Sequence, residues 1–261
     1  MQFEILGPLR VTDTEPVAVH GGRRRILLVA LLARPNAVMG SGELVDWLWP
    51  RRPPRSAHTT LHGYICAVRR ALEPQRPPRQ PSTRLFTHPT GYQLRVDADE
   101  LDTLCFERLV ASAKPALDAG DATRAYQLAT EALALWRGPP LADGAHVEAA
   151  RAAITRLEEL RLIAITVRIE AALALGGHLE AVPELTGLVA SYPLHERFYV
   201  LLMVALFRCG RRADALAVSR RARAVLAREL RVGPGPALRD TEAAIRADDP
   251  ERFTAPTWPA A

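Results

Sequence analysis

The sequence predicts a mainly α chain with a small β component, split into a basic N-terminal module and an all-α C-terminal one. Three observations carry this prediction. First, β-prone runs are confined to the opening 96 residues, whereas Ala/Leu-rich segments with helical periodicity fill the chain from Asp97 onward. Second, carboxylates avoid the N-terminal third. Residues 1–96 hold 14 Arg and 6 Asp or Glu, a charge of +8, while the remainder holds 20 basic and 23 acidic residues, a charge of −3. Third, a Gly-x-x-x-x-Ala pattern recurs at a 34-residue step, at Gly176…Ala181 and Gly210…Ala215, as expected of stacked helix pairs.

The N-terminal elements follow in order. Met1 to Val19 alternates weakly through Phe3, Ile5, Leu9, Val11, Val17 and Val19 around Gly7-Pro8, predicting a small sheet. Gly21-Gly22 breaks that pattern before a helix from Arg23 to about Ala33, which buries Ile26, Leu27, Ala30 and Leu31 and stops at Pro35-Asn36. A short helix runs from Ser41, read as its N-cap, to Leu48, with Trp47 and Trp49 turned to the core and Pro50 as the stop. A Pro-stiffened basic loop, Trp49 to Arg55, comes next.

The most informative stretch is Arg55 to Val96. Leu61, Ile65, Val68 and Leu72 recur at helical spacing on one narrow stripe. The opposite face carries Ser56, Thr59, Gly63, Cys66, Ala67 and Arg70, flanked by Thr60, His62 and Arg69. It has no carboxylate and no bulky apolar group. A small, hydroxylated, basic face suits a helix laid into the DNA major groove. Ser56 is the expected N-cap and Pro74 the stop. Two β-prone runs around Pro89-Thr90-Gly91 then form a hairpin, and helix plus hairpin is the layout of a winged helix-turn-helix.

From Asp97 the expected helices are Leu104–Ala119, Asp121–Trp136, Ala145–Leu175, His178–Ser191, Glu196–Cys209, Arg211–Leu230 and Pro236–Ala247. Pro115 and Pro183 should kink or shorten theirs. A third copy of the repeat lies at Gly120…Ala125, so this region reads as tetratricopeptide-like. The domain boundaries expected are 1–97 for the winged helix, 98–250 for the helical domain and 251–261 for a flexible tail.

Composition excludes several classes. A hydrophobic fraction of 48% is too high for a wholly disordered chain. No apolar run is long enough to span a bilayer and no signal-peptide pattern opens the chain, so a cytoplasmic, nucleoid-associated protein with no membrane partner is expected. Cys66, Cys105 and Cys209 suggest neither a disulfide framework nor a zinc site. His58 and His62 stand four apart on one helix, but with no third ligand nearby. No phosphate loop, nucleophile elbow or carboxylate pair is present, so no catalytic residue, no metal and no cofactor are expected, and the chain is not read as an enzyme.

The order of elements, with several motifs, resembles the Streptomyces antibiotic regulatory protein family, which joins an OmpR-type winged helix to a bacterial transcriptional activation domain. The matching stretches include Phe3-Glu4-Ile5-Leu6-Gly7-Pro8-Leu9, Leu44-Val45-Asp46-Trp47-Leu48-Trp49 and Thr90-Gly91-Tyr92-Gln93-Leu94. Further on come Ala132-Leu133-Ala134-Leu135-Trp136-Arg137-Gly138, Pro193-Leu194-His195-Glu196-Arg197 and Val232-Gly233-Pro234-Gly235-Pro236. The resemblance runs in order from residue 1 to about 250. It implies a pathway-specific activator of antibiotic biosynthesis genes that binds direct repeats in double-stranded promoter DNA, with RNA polymerase holoenzyme as partner and a homodimer on DNA as an option. Two places depart from the family pattern. His62-Gly63 stands where a pair such as Gln-Thr is usual, and the loop before the reading helix is basic where the family's is often acidic.

The residues expected to meet DNA are Arg55, Ser56, Thr59, Thr60, His62, Gly63, Tyr64, Arg69 and Arg70 on or beside the reading helix, with Arg84, Thr87 and His88 on the wing. Arg51 and Arg52 are the candidates for a polymerase contact. Arg69 and Arg70 also suit the negative end of a helix dipole, and Gly63 also reads as a tolerated substitution. The competing reading of the whole chain is a helical-repeat interaction adaptor whose DNA-binding module has degenerated.

Overall fold

Alternation at the N-terminus produces two short antiparallel strands, β1 (Gln2–Glu4) and β2 (Arg10–Thr12), which pair with Phe3 opposite Val11 and bury both side chains. The computed structural model describes residues 1–77, 79–249 and 253. Helix α1 (Gly22–Ala33) buries six consecutive residues, Leu27 to Leu32. A run of six residues buried on every side belongs at the centre of a core. It packs against α2 (Ser41–Leu48) and α3 (Ala57–Leu72). A three-stranded sheet, in the order β3 (Met39–Gly40), β5 (Gly91–Leu94), β4 (Leu85–His88), completes the winged helix-turn-helix. Gly91 is required where it stands, since a Cβ there would lie 1.8 Å from the Met39 carbonyl oxygen.

Ser41 opens α2 rather than capping it. The cap position belongs to Gly40, already extended and paired with Gly91, so strand β3 runs directly into the helix. Ser56 does hold the cap position of α3, yet its hydroxyl makes no capping bond. Its backbone sits in a turn at φ −87°, ψ 14° rather than in the extended conformation that aims a cap oxygen at the helix amides.

The chain gathers into two units, Met1–Leu109 with Glu131–Leu162, and Val110–Thr130 with the chain from Ile163 onward. The first runs past residue 97 because downstream residues complete its N-terminal strand. Asp102, opening α4 (Asp102–Asp118), accepts hydrogen bonds from the amides of Ile5 (2.9 and 2.8 Å) and Leu6 (2.8 Å). Phe3 bridges Leu101. The amides of Arg137 and Leu141 donate to the carbonyls of Leu6 and Ile5 at 2.8 and 2.7 Å. Asp143 accepts the Leu9 amide at 2.6 Å and the Arg25 Nε at 2.5 Å.

Helix α5 spans Ala122–Ala134, and α6 spans Arg151–Ala174. The helix expected from Ala145 therefore starts six residues later. Leu141 adopts a left-handed conformation to reach Ile5, and two 3₁₀ turns, Ala142–Gly144 and Glu148–Ala150, intervene. In the second unit lie α7 (His178–Ser191), α8 (Glu196–Arg208), α9 (Arg212–Leu230) and α10 (Pro236–Ala247). Nine consecutive buried residues, Phe198 to Leu206, make α8 the hub on which α7, α9 and α10 pack. The 34-residue repeat is a repeated helix stop. Gly176 (φ +90°) and Gly210 (φ +74°) turn the chain out of a helix, and the next amides bond back to Ala172 and Leu206 at 2.9 Å. The same closure follows Gly120, and Ala125, Ala181 and Ala215 are all buried in the helices that follow. Pro115 and Pro183 lie inside α4 and α7 without ending them. In α7, burial of Ala181, Leu185 and Val189 offsets the single hydrogen bond that Pro183 forfeits. Of the expected tail 251–261, only Phe253 is described, buried and 5.5 Å from the Phe207 ring; the rest falls outside the described residues.

One carboxylate in each unit gathers its charges together. In the first, Glu100 accepts two bonds from Arg84 (2.9 and 2.8 Å) and one from the N-terminal amine, and the Arg84 bonds chiefly draw its pKa down to about 2. In the second, Glu242 is drawn to about 2 by hydrogen bonds from Ser219, Arg246 and Arg223, Ser219 contributing most. A lowered folded-state pKa contributes stability that is full above the unfolded value near 4.5 and lost as pH falls toward 2. Urea midpoints should therefore drop as pH is taken from 5 to 2.5, with ~1–2 kcal/mol from each site once solvent screening of the open arginines is allowed for. Glu100→Gln and Glu242→Gln should each flatten that slope, and unchanged pH profiles would refute the assignment.

Candidate nucleic-acid interface

Helix α3 lays Ala57, Leu61, Ile65, Val68 and Leu72 into the core of the first unit and turns the opposite face outward. Arg55, Ser56, His58, Thr59, His62, Gly63, Cys66 and Arg70 are exposed, while Thr60, Tyr64 and Arg69 are half-buried. The outward face carries no carboxylate along its length. A Cβ built on Gly63 would meet nothing within 4 Å, so this glycine is not demanded by packing. Ser56 and Thr60 bring their hydroxyl oxygens to 3.5 Å of each other.

The hairpin is tied to the helix by side chains that the sequence had marked for DNA. Arg69 donates from Nε to the Leu85 carbonyl at 2.9 Å and from Nη2 to the Thr87 hydroxyl at 2.7 Å. Arg69 thus holds the wing in register with the helix, leaving part of its guanidinium for another partner. His62 Nδ1 lies 2.6 Å from the hydroxyl of Tyr92, a strand residue that is 2% exposed. His88 Nε2 meets the Gln93 side chain at 2.9 Å. Arg84 is committed to Glu100, which neutralises it within the unit. Tyr64 packs against Trp49, ring centroids 6.2 Å apart, so most of its surface serves the core. At the far end of α3, Glu73 accepts bonds from Ser82 Oγ (2.5 Å) and from the amide (2.8 Å) and hydroxyl (2.5 Å) of Thr83. Burial alone would raise the Glu73 pKa, but these bonds outweigh it and leave the carboxyl lowered and ionised. The loop leading to the wing is thereby pinned.

Arg51, Arg52 and Arg55 are exposed in the loop between α2 and α3. The structure adds basic residues the sequence reading missed. Arg23 and Arg24 are exposed at the start of α1; Arg24 lines a shallow cleft with Ala67 and Arg70 of α3, and Arg23 lies over the Trp49 ring at 5.4 Å. Three arginines at a helix N-terminus oppose the macrodipole, and that unfavourable placement was the available signal. Arg95 lies over Phe86 on the wing at 4.7 Å. Among the described residues, no group of three His, Cys, Asp or Glu is placed to hold a metal, and no helix is long and apolar enough to cross a membrane.

Comparison with known proteins supplies the family context. The bacterial transcriptional activator domain matches residues 101–246. The chain is 37% identical over 259 residues to the regulatory protein DnrI of Streptomyces peucetius, covering 96% of this chain and 93% of DnrI. It is 38% identical over 251 residues to the transcriptional regulator RedD of Streptomyces coelicolor, covering 96% of this chain and 71% of RedD. It is also 39% identical over 253 residues to the regulatory protein AfsR of Streptomyces griseus, covering 95% of this chain but 25% of AfsR. The chain therefore spans about a quarter of the length of that larger regulator. Among solved structures it resembles Mycobacterium tuberculosis EmbR in complex with a low-affinity phosphopeptide, with a TM-score of 0.89, 31% identity and coverage of 95% of this chain and 65% of that one.

Gly63 carries a prediction that separates folding from recognition. Replacing it with Ala should raise stability by ~1 kcal/mol, since Gly is the poorer helix former and the site is open. If the face it occupies approaches DNA closely, the same change should lower affinity several-fold. Thermal denaturation and fluorescence anisotropy on one preparation test both, and a variant gaining stability without losing affinity would remove Gly63 from the interface.

Proposed function

The chain belongs to the Streptomyces antibiotic regulatory protein family of transcriptional activators, and on that premise we propose that it activates antibiotic-biosynthesis promoters by binding direct repeats in double-stranded DNA and recruiting RNA polymerase holoenzyme. The observation that carries this reading is the outward face of α3, free of carboxylates along its length and bordered by exposed Arg23, Arg24, Arg55 and Arg70. Such a face enters the major groove with little electrostatic opposition, while the arginines around it meet phosphates. Thr59, Thr60, His62 and Gly63 lie toward base edges. Arg55, Ser56 and Arg70 meet the backbone, as do Thr87 and His88 on the wing. Arg69 acts mainly by holding that wing, Tyr64 by supporting the helix, and Arg84 contributes least because Glu100 already pairs it. Two copies on adjacent repeats would form a homodimer on DNA.

A gel shift at increasing salt tests the reading, because displaced counterions make phosphate-driven binding fall steeply with ionic strength. Binding that ignores salt, or no binding at all, favours an adaptor with a degenerate DNA module. Arg70→Ala leaves no cavity, since the side chain is exposed, and should cut affinity for all sequences alike while reducing the salt slope by about one unit. An unchanged slope places the phosphate contacts elsewhere.

The loop carrying Arg51 and Arg52 is assigned to polymerase rather than to DNA. Replacing both with Ser should depress transcription from a linked promoter more than it depresses promoter affinity. Parallel losses, with a smaller salt slope, would instead mark the pair as phosphate contacts.

A further inference from the structure

The bond between Tyr92 and His62 has a chemical consequence for what α3 reads. Tyr92 is 2% exposed, and the contact described for its hydroxyl is His62 Nδ1 at 2.6 Å. A buried O–H left without an acceptor costs about 1–3 kcal/mol. The hydrogen-bond balance therefore favours the phenol as donor and Nδ1 as acceptor. Burial pushes the Tyr92 phenol above its ordinary value, so it keeps the proton it donates. A neutral imidazole that accepts at Nδ1 must carry its own proton on Nε2. His62 is exposed, with its ring nearly perpendicular to that of Tyr92 (76°), on the flank of α3 that joins the outward face to the wing.

We infer that Tyr92 is a positioning residue that fixes His62 as an Nε2–H donor, and that His62 thereby selects a guanine N7/O6 edge at one base pair of the operator. The inference rests on the proposed reading of α3 as the major-groove helix. In that groove guanine offers two adjacent acceptors with no donor between them, adenine sets an amino donor beside its N7, thymine sets a methyl beside its single O4 acceptor, and cytosine offers only a donor. A fixed N–H donor rejects cytosine and is met best by the guanine edge, where either of two adjacent acceptors can take the bond; a freely exchanging tautomer, able to accept as well as donate, would tolerate cytosine too. The wing thus takes part in reading sequence through the helix, without itself reaching a base.

Two arms test this. In the DNA-free full chain, the ¹⁵N shifts of His62 should report the Nε2–H tautomer, and Tyr92→Phe, which keeps the ring and removes only the hydroxyl, should shift it toward a mixture. An Nδ1–H tautomer in the unmodified chain would overturn the inference whatever the protein does with DNA. In the second arm, sites are selected from a random duplex library by the unmodified chain, by His62→Ala and by Tyr92→Phe. The unmodified chain should show a position fixed as guanine. Replacing that base with 7-deazaguanine should weaken its binding about tenfold and leave His62→Ala indifferent to the change. Tyr92→Phe should lose preference at that same position and keep it elsewhere. If all three proteins select the same sequences, the inference falls while DNA binding stands. If the unmodified chain selects nothing, the DNA reading falls and takes this inference with it.

Discussion

The fold of the first unit depends on one buried carboxylate. Asp102 is 7% exposed and lies at the start of α4, where it accepts the amides of Ile5 and Leu6. Removing a carboxylate from water is costly, and here burial raises its pKa to about 6 in spite of those bonds and the nearby Arg137 charge. What the arrangement secures is the backbone at the end of β1, where two buried amides would otherwise lack partners at about 1–3 kcal/mol each. The Leu6 and Ile5 carbonyls, in turn, take the amides of Arg137 and Leu141. The Ile5-Leu6 segment that follows β1 is thus satisfied on both its donors and its acceptors by residues about a hundred positions or more downstream. Asp143 repeats the device at Leu9 and extends it through Arg25 to α1, so the helix beneath α3 is held by the same downstream segment.

That arrangement sorts the arginines of the basic module. Arg25 and Arg84 are held by Asp143 and Glu100, and Arg69 is held by backbone and hydroxyl oxygens of the wing. These charges build the scaffold. Arg51, Arg52, Arg55 and Arg70 stay exposed around α3, joined by Arg23 and Arg24. The +8 charge read from composition is therefore an upper bound on what is offered to an anion, because partners from beyond residue 96 consume part of it. Two of those partners, Glu100 and Asp143, belong to the portion of the sequence that counts as acidic.

Periodic and punctuated features were legible in the sequence. Helices α7 and α10 match their expected bounds, and α3, the hairpin and the Gly-ended repeat stand where spacing put them, since each follows from local pattern and local stereochemistry. Features set by distant partners were not. Nothing near Asp102 or Asp143 announces that their acceptors face Ile5, Leu6 and Leu9, so the extent of the first unit and the late start of α6 could not be read. The site divides along the same line. Exposure of Arg70 and Thr59 follows from a helical wheel, but the commitment of Arg69 and Arg84, and the bond between Tyr92 and His62, depend on where the hairpin lands.

The composition of α3 sets its outward face against its own helix stability. Gly63 and the β-branched Thr59, Thr60, Ile65 and Val68 make it a poor helix by propensity alone, and its N-cap hydroxyl makes no bond to the helix amides. Its last turn is better provided, with Arg69 and Arg70 at the negative end of the dipole and the Glu73 amide closing onto Arg69. Order must therefore come from the buried stripe on one side and from the wing on the other. The cross-ties from Arg69 and Tyr92 sit seven residues apart on α3, two helical turns, and brace its outward half where the stripe cannot reach. A helix stabilised in this way keeps its outer face small and open, at the expense of relying on strands that follow it in sequence. On the proposed reading, recognition by α3 is a property of helix and hairpin together, and a change confined to the hairpin would alter which sequence the helix prefers.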